Sequence, residues 1–521
     1  RKKKFLLNIP EFDRPNFHPD MEKIVGECST FLLFEIEKIP GESFIETCRR
    51  NQKQLWEIKK YNSFNGMEIL REIYKHQNTY GISVVPIVFS SLLDIPQSTH
   101  DIFRKIYTET HTSQVWIDID AQRCDDEIQF NWDCIKGLFD SSMLEKMVEL
   151  QMNILRNAAY NNEFWEKHNL NLLPKEDEKT IMALNNTKTE LRFINIQSLL
   201  VISCKENAER VALVTEERQY TYSELFMLVK VTIKRLNAKG IKPRDIVAII
   251  LKKGIDQIIY TLATVLMGAI YAPIEYDTPE SWIKKCLENI QADLIITDYD
   301  KGQMFNESVD VLMVGNMSAD IEGDSEFYLH SKAEDIFSII HTSGSTGVPK
   351  AVMVQQKGIQ NSIRFTLRKF GITNKDSILA LTNLAHDMSM FDLFGLLIAG
   401  GKIVMPNFKG IKDPDHWLRL LDKHKISIFC SVPTMLTMLK ETVAYAHASK
   451  LENIRLVISG GEFFEVPLAK WIFAYMPNAK VVSVGGPTET TLWNIYHSIT
   501  ENDLDKKSIP YGCPIDNNQY Y

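Results

Sequence analysis

The chain has 521 residues, 45% of them hydrophobic and 24% charged, with a formal net charge of −8. That length calls for about two to four structural units, and the composition is that of a globular protein. The acidic balance offers no basic face for nucleic acid, and no apolar run reaches the ~18 residues of a transmembrane helix.

Eight cysteines are scattered without a C-x-x-C pair. This leaves no zinc or redox motif and suits free thiols in a reducing, cytoplasmic setting. The opening RKKKFLLNIPEFDRP has too short an apolar part for a signal peptide and reads like the middle of a domain. CSTFLLFEIE (28–37) and ISVVPIVFSSLL (82–93) are β-rich. SSMLEKMVELQMNILRNAA (141–159) places Leu144, Met147, Leu150, Ile154 and Ala158 at steps of three and four. This predicts a core-facing amphipathic helix, capped by Ser141 or Ser142.

Residues 161–195 turn polar and Asn-rich, so a linker is expected there, between a unit at 1–160 and another at 196–521. Beyond it, VAIIL (247–251), YAPIE (271–275), DLIIT (293–297), IFSII (336–340), ISIFC (426–430), IRLVIS (454–459) and KVVSV (480–484) alternate with helical stretches. The pattern predicts an α/β fold with parallel sheets, whose ligands gather at the carboxyl ends of strands.

HTSGSTGVPK (341–350) follows IFSII at such an end. Glycines free backbone N–H groups to turn toward an anion, hydroxyls add donors, and a lysine adds charge, so the stretch reads as a phosphate loop. It is not a Walker A loop, which needs G-x-x-x-x-G-K-[ST]; here Gly344 and Gly347 precede Lys350 and then Ala351.

Further motifs line up: QYTYSEL (219–225), LMGAIYAPIEYDTPE (266–280), HDMSMFDLFG (386–395), SGGEFF (459–464), GGPTETTLW (485–493) and IPYGCPIDNN (509–518). The series resembles the large N-terminal subdomain of an adenylation domain of the adenylate-forming superfamily, as found in nonribosomal peptide synthetases. The resemblance implies ATP and Mg²⁺, and an amino acid whose carboxylate attacks the α-phosphate to give an aminoacyl-adenylate. Thr342, Ser343, Gly344, Ser345, Thr346 and Gly347 would cradle the pyrophosphate, with Lys350 as the nearby catalytic cation. Gly461, Glu462, Gly486 and Thr488 would complete the nucleotide set, and Glu489 would hold the metal, a hard cation that takes oxygen ligands.

Asp387 would pair with the substrate ammonium; a helix N-cap is the plainer role for it. The side-chain pocket carries over to Met388, Phe391, Cys430, Val457, Ser459, Val484, Leu492 and Trp493. It should be short and apolar, and similar to cysteine-activating pockets. Gly485 stands where most members have an aromatic residue that packs on adenine, and His386 replaces an aromatic.

The first half carries FLLNIPEFDRPNFHPDMEKIVGEC (5–28), VVPIVFSSLL (84–93) and THTSQVWIDIDAQRCDDEIQFNWD (110–133). It resembles the C-terminal half of a heterocyclization domain, a condensation-type domain of chloramphenicol-acetyltransferase-like fold. Such domains condense an acyl group with Cys, Ser or Thr and close a thiazoline or oxazoline ring. Asp118 would be the general acid/base, with Ser90 standing where the family has threonine. Asp120 and Asp125 mimic the family's paired-aspartate spacing only by accident, and no HHxxxDG motif occurs.

Both halves then favour Cys, followed by Ser or Thr, as the activated amino acid. The partners would be carrier-protein domains bearing phosphopantetheine within a longer assembly line. Two other readings are an acyl- or aryl-activating ligase, whose amine-free substrates have no use for Asp387, and a non-catalytic platform for carrier proteins.

Overall fold

The computed structural model describes residues 4–12, 18–25, 29–61, 65–77, 85–93, 114–124, 126–168, 170, 173–190, 192–305, 310–314, 326–342 and 349–521. It has mixed α/β architecture and divides into two compact units, Arg1–Lys179 and Thr180–Tyr521.

In the first unit, strands β1 (Lys4–Phe12), β2 (Ser29–Glu37), β3 (Ile87–Leu92), β4 (Ile117–Cys124) and β5 (Glu127–Cys134) form one sheet in the order β2-β1-β3-β4-β5. β3 and β4 run parallel, with Val88 opposite Asp118 and Ser90 opposite Asp120. β4 and β5 are antiparallel, with Asp118 opposite Asp133 and Asp120 opposite Asn131.

The helix Ser141–Tyr160 forms as its periodicity predicts, but Asp140 is its cap and accepts from the Ser142 N–H; neither serine caps it. An aspartate one residue upstream reaches the free N–H groups equally well, which the Ser-Ser pair obscured. The helix buries no residue fully: Leu144, Leu150, Ile154 and Ala158 are half-buried and Met147 is exposed. The expected core stripe is therefore a half-covered face.

The 161–195 stretch contributes structure to both units. Phe164 is buried, with its ring 5.1 Å from Phe44. Asn185 Nδ2 donates to the Tyr520 carbonyl at 2.8 Å and the Thr187 hydroxyl donates to the Asn518 carbonyl at 2.6 Å.

The second unit has two sheets. One contains β8 (Ile246–Ile250), β9 (Ile270–Pro273), β10 (Leu294–Thr297), β11 (Val311–Met313), β12 (Ile336–Thr342) and β13 (Lys350–Gln355), in the order β11-β10-β8-β9-β12-β13. It is parallel except for the β12–β13 hairpin.

The other sheet contains β6 (Val211–Val214), β7 (Gln219–Thr221), β14 (Ser377–Leu379), β15 (Lys402–Val404), β16 (Ile428–Ser431), β17 (Leu456–Gly460), β18 (Lys480–Gly485), β19 (Ile495–Ile499) and β20 (Cys513–Pro514). Its order is β20-β19-β18-β17-β16-β14-β15-β6-β7.

The helix Ile255–Leu266 is buried on every side from Gln257 onward, as its predominantly apolar sequence with no charge after Asp256 requires. Its two threonines bond back to Gln257 and Tyr260 carbonyls at 2.6 and 2.8 Å, so neither threonine hydroxyl is stranded in that core. At the amino ends of the larger sheet, Arg455 Nε and Nη2 grip both Asp376 oxygens at 2.7 Å. The bidentate pair fixes that edge.

Candidate active site

The carboxyl ends of β16, β17 and β18 open onto Ser431, the Gly460–Gly461–Glu462 turn and the Gly485–Gly486–Pro487 turn. Gly461 has φ +85° and Gly486 φ +144°. A Cβ on Gly486 would lie 2.6 Å from Asn494 Oδ1, so this turn both needs glycine and forms a close backbone cradle.

The 3₁₀ turn Thr488–Thr490 follows, with Thr488 half-buried and Glu489 exposed. Among the described residues, no side chain engages Glu489, and no cluster of three or more acidic, His or Cys ligands forms a metal cage. Across the hairpin, Thr342 ends β12 opposite Lys350, which opens β13 and is exposed. Ser343, Gly344, Ser345, Thr346 and Gly347 lie outside the described residues.

Asp387 sits in the turn before the short π-helix Phe391–Gly395. Burial pushes its carboxyl up, opposed by the Thr488 hydroxyl, the Met388 N–H and the positive potential of His386. Sequence neighbours and a residue a hundred positions away thus converge on one carboxyl that has no ion-pair partner among the described residues.

Behind it, Met388, Phe391, Cys430, Val484, Leu492 and Trp493 are buried in one continuous core cluster. The Phe391 and Trp493 rings lie 5.2 Å apart, and the indole N–H donates to the Thr366 hydroxyl at 3.0 Å. Thr491 and Leu492 have φ of +70° and +61°, a conformation costly for such residues and typical of sites where geometry is over-determined.

Val457 and Ser459 are a correction. Val457 pairs with Phe429 and Val481 and packs with them in a different cluster, on the sheet face opposite Cys430. Ser459 shares that face by alternation, fully buried, its hydroxyl without a partner. Ile458 and Gly460 stand instead in register with Cys430 and Val484. The parity of a strand relative to its neighbours is not readable from a motif. Glu462 has a structural role besides: its Oε2 accepts from the Thr434 N–H at 3.1 Å and the Thr434 hydroxyl at 2.5 Å. That satisfies the first turn of the helix Pro433–Tyr445 through one carboxylate oxygen.

Asp392 was missed. Only 2% exposed, it lies beside the Cys430 thiol, Thr382 and Lys253. Burial pushes its carboxyl up to about 6 and the Lys253 ammonium down to about 8, each partly offsetting the other. Lys253 is fixed by a 2.6 Å bond to the Thr382 carbonyl. An aspartate five positions after Asp387 in a helical turn was the available signal.

In the first unit, Ser90, Asp118 and Asp120 share one sheet face, joined across β5 by Asn131 and Asp133. Ser90 is opposite Asp120, with Asp118 one diagonal step away. Burial first, then the charges of Asp133 and Asp120, push the Asp118 carboxyl up. Asn131 donates to Asp120 at 3.0 Å.

A sequence model of the AMP-binding enzymes matches residues 201–521. The chain belongs to the AMP-binding enzyme family. Among curated members, phenyloxazoline synthase MbtB of Mycobacterium sp. (strain MCS) is 26% identical over 523 residues, 99% of this chain and 44% of that protein. Pyochelin synthetase PchF of Pseudomonas aeruginosa is 25% identical over 518 residues, 98% of this chain and 28% of its own length. The chain therefore spans less than half of either relative. The solved nonribosomal peptide synthetase FmoA3 superposes with a TM-score of 0.81 at 27% identity, covering 99% of this chain and 56% of that one. FmoA3 has also been solved with AMPPNP and with alpha-methyl-L-serine-AMP bound. These neighbours carry the same mixed α/β fold, and this AMP-binding enzyme has no described helix long and apolar enough to cross a membrane.

Proposed function

We propose that this chain is part of a nonribosomal peptide synthetase, working in the cytoplasm. Its second unit converts a small amino acid, Cys first and then Ser or Thr, to the aminoacyl-adenylate with ATP. Its first unit condenses that residue and closes it to a thiazoline or oxazoline. Phosphopantetheine-bearing carrier domains would deliver and receive the substrates.

One observation carries the adenylation reading: Asp387, raised by burial and without a cationic partner among the described residues, directly precedes the buried apolar cluster of Met388, Phe391 and Trp493 and has the Thr488 hydroxyl of the GPTE turn beside it. A substrate ammonium supplies the missing charge and leaves its carboxylate beside the nucleotide turn. The chemistry is then mostly positioning and charge stabilisation. Glu489 and the open rim suit Mg²⁺, which is commonly held by one carboxylate plus substrate phosphates. The ion would neutralise the departing pyrophosphate. Lys350 and Thr342 flank the segment expected to receive that group.

Similarity over nearly the whole chain to a phenyloxazoline synthase and to a pyochelin synthetase supports the ring-forming role of the first unit. The Asp118 carboxyl, held protonated to higher pH than usual, suits proton transfer during loss of water.

The test is thermal stabilisation by a panel of non-hydrolysable aminoacyl-adenylate analogues. A ligand at about 100 times its Kd adds roughly 2.7 kcal/mol. A selective shift with the cysteinyl, seryl or threonyl analogue is expected. A shift with aryl or fatty acyl analogues alone overturns the amino-acid reading.

A further inference from the structure

Gly485 ends β18 at the rim of the nucleotide turn. Its backbone is not in the left-handed region, so conformation does not demand glycine there. Space does. A Cβ at this position would fall 2.5 Å from both Cε2 and Oη of Tyr511 and 2.6 Å from Cζ. A ring from the loop ahead of β20 thus fills the volume that a side chain at 485 would claim.

That ring is held in place. Tyr520 meets Tyr511 edge-on, with centroids 6.5 Å apart and planes at 77°. Tyr520 is itself fixed by a hydroxyl bond to Asn494 and a 2.9 Å N–H bond to Asn185 Oδ1. Asn494 is also the residue that closes the cradle at Gly486. Yet Tyr511 remains 58% exposed, and its hydroxyl makes no hydrogen bond among the described residues. An aromatic ring braced by a second ring, more than half exposed and set beside a phosphate turn can serve as a stacking surface for a flat base.

We propose that Tyr511 is the platform on which the adenine of the nucleotide stacks, in place of a side chain at 485. The inference rests on the nucleotide reading given above. The competing ring is Phe463, 68% exposed on the Gly460–Gly461–Glu462 turn, for which no neighbouring glycine makes room.

The experiment compares ATP with inorganic tripolyphosphate, binding of each to the full chain being measured by calorimetry. Tyr511→Ala should weaken ATP about 5- to 150-fold, the range for one base–aromatic stack, and leave tripolyphosphate unchanged. Tyr511→Phe should bind ATP as the parent does. Gly485→Tyr alone should clash and lose ATP, whereas Gly485→Tyr combined with Tyr511→Ala should recover it, because the ring has only changed its point of attachment. Unchanged ATP binding by Tyr511→Ala, an equal loss of both ligands, or a selective loss in Phe463→Ala instead would each overturn the proposal. If the parent chain binds tripolyphosphate but shows no added affinity for ATP, only the platform fails. If it binds neither, the nucleotide reading fails and takes the platform with it.

Discussion

The two units use the same kinds of elements and bury them very differently. Among the described residues, the first unit fully buries seven hydrophobic side chains: Leu32, Phe34, Val85, Val88, Ile117, Ala121 and Phe164. The second unit packs entire helices, such as Ile255–Leu266, and both faces of its larger sheet. In the first unit the helices Phe44–Lys59 and Ser141–Tyr160 bury nothing completely. A thin core leaves polar chemistry to a sheet face, where partial burial and the charges of Asp133 and Asp120 raise the proton affinity of Asp118. A thick core can instead hold a single carboxyl, Asp387, against desolvation. Burial is the larger cause in both, but in the first arrangement like-charged neighbours add to it, whereas in the second the neighbours oppose it.

The strongest test of that contrast is Asp118. Asp118→Asn should reduce ring formation in the synthetase by about 10²- to 10⁴-fold, the range for a general acid/base, and leave adenylation by the second unit intact. Product mass spectrometry alongside pyrophosphate exchange reads both. Burial and then repulsion hold this carboxyl up, so Asp133→Asn should remove the second contribution and move the corresponding pH–rate limb downward. An unmoved limb would assign the limb to another group.

Next comes Trp493→Ala. It removes a buried indole and its bond to Thr366, and should cost about 3–5 kcal/mol in urea unfolding of the second unit.

Asp387→Asn should lower amino-acid affinity about 10- to 100-fold, the scale of a lost charged hydrogen bond. It should also raise the melting temperature at neutral pH. The sign follows from the raised carboxyl: the folded state favours its protonated form, so stability from this group is present at low pH and lost as pH rises through its folded pKa. A variant that lost both affinity and stability would make Asp387 a structural residue. The smallest expected effect is Leu150→Ala on the half-covered helix, about 1 kcal/mol or less, seen as earlier hydrogen exchange in the first unit. A cost near that of Trp493→Ala would erase the contrast between the units.

The sequence was most legible where local pattern and backbone demand coincide. Each apolar run from 247 to 484 became a strand, because continuous β-branched stretches bounded by turns suit doubly covered sheets. The short strands β14, β15 and β20 gave no such signal, being three residues or fewer. The glycine turns and Asp387 announced themselves by residue type. Val457 and Ser459 did not keep their expected face, since parity depends on register with β16 and β18. Asp392, Ile458 and Tyr511 were invisible because their roles arise from contacts made across the fold. The helix 141–159 showed its periodicity but not its coverage, which depends on what packs against it.

Glu462 bears on how retained motifs should be weighed. Its carboxylate secures the first turn of the helix Pro433–Tyr445, and losing it would leave that turn without its acceptor, at a cost of about 1 kcal/mol. Drift in a lineage released from catalysis would therefore spare Glu462 and erode Asp387, whose burial works against the fold. Survival of the SGGE signature is evidence of architecture. Survival of Asp387 is the better marker that an amino acid is still being activated.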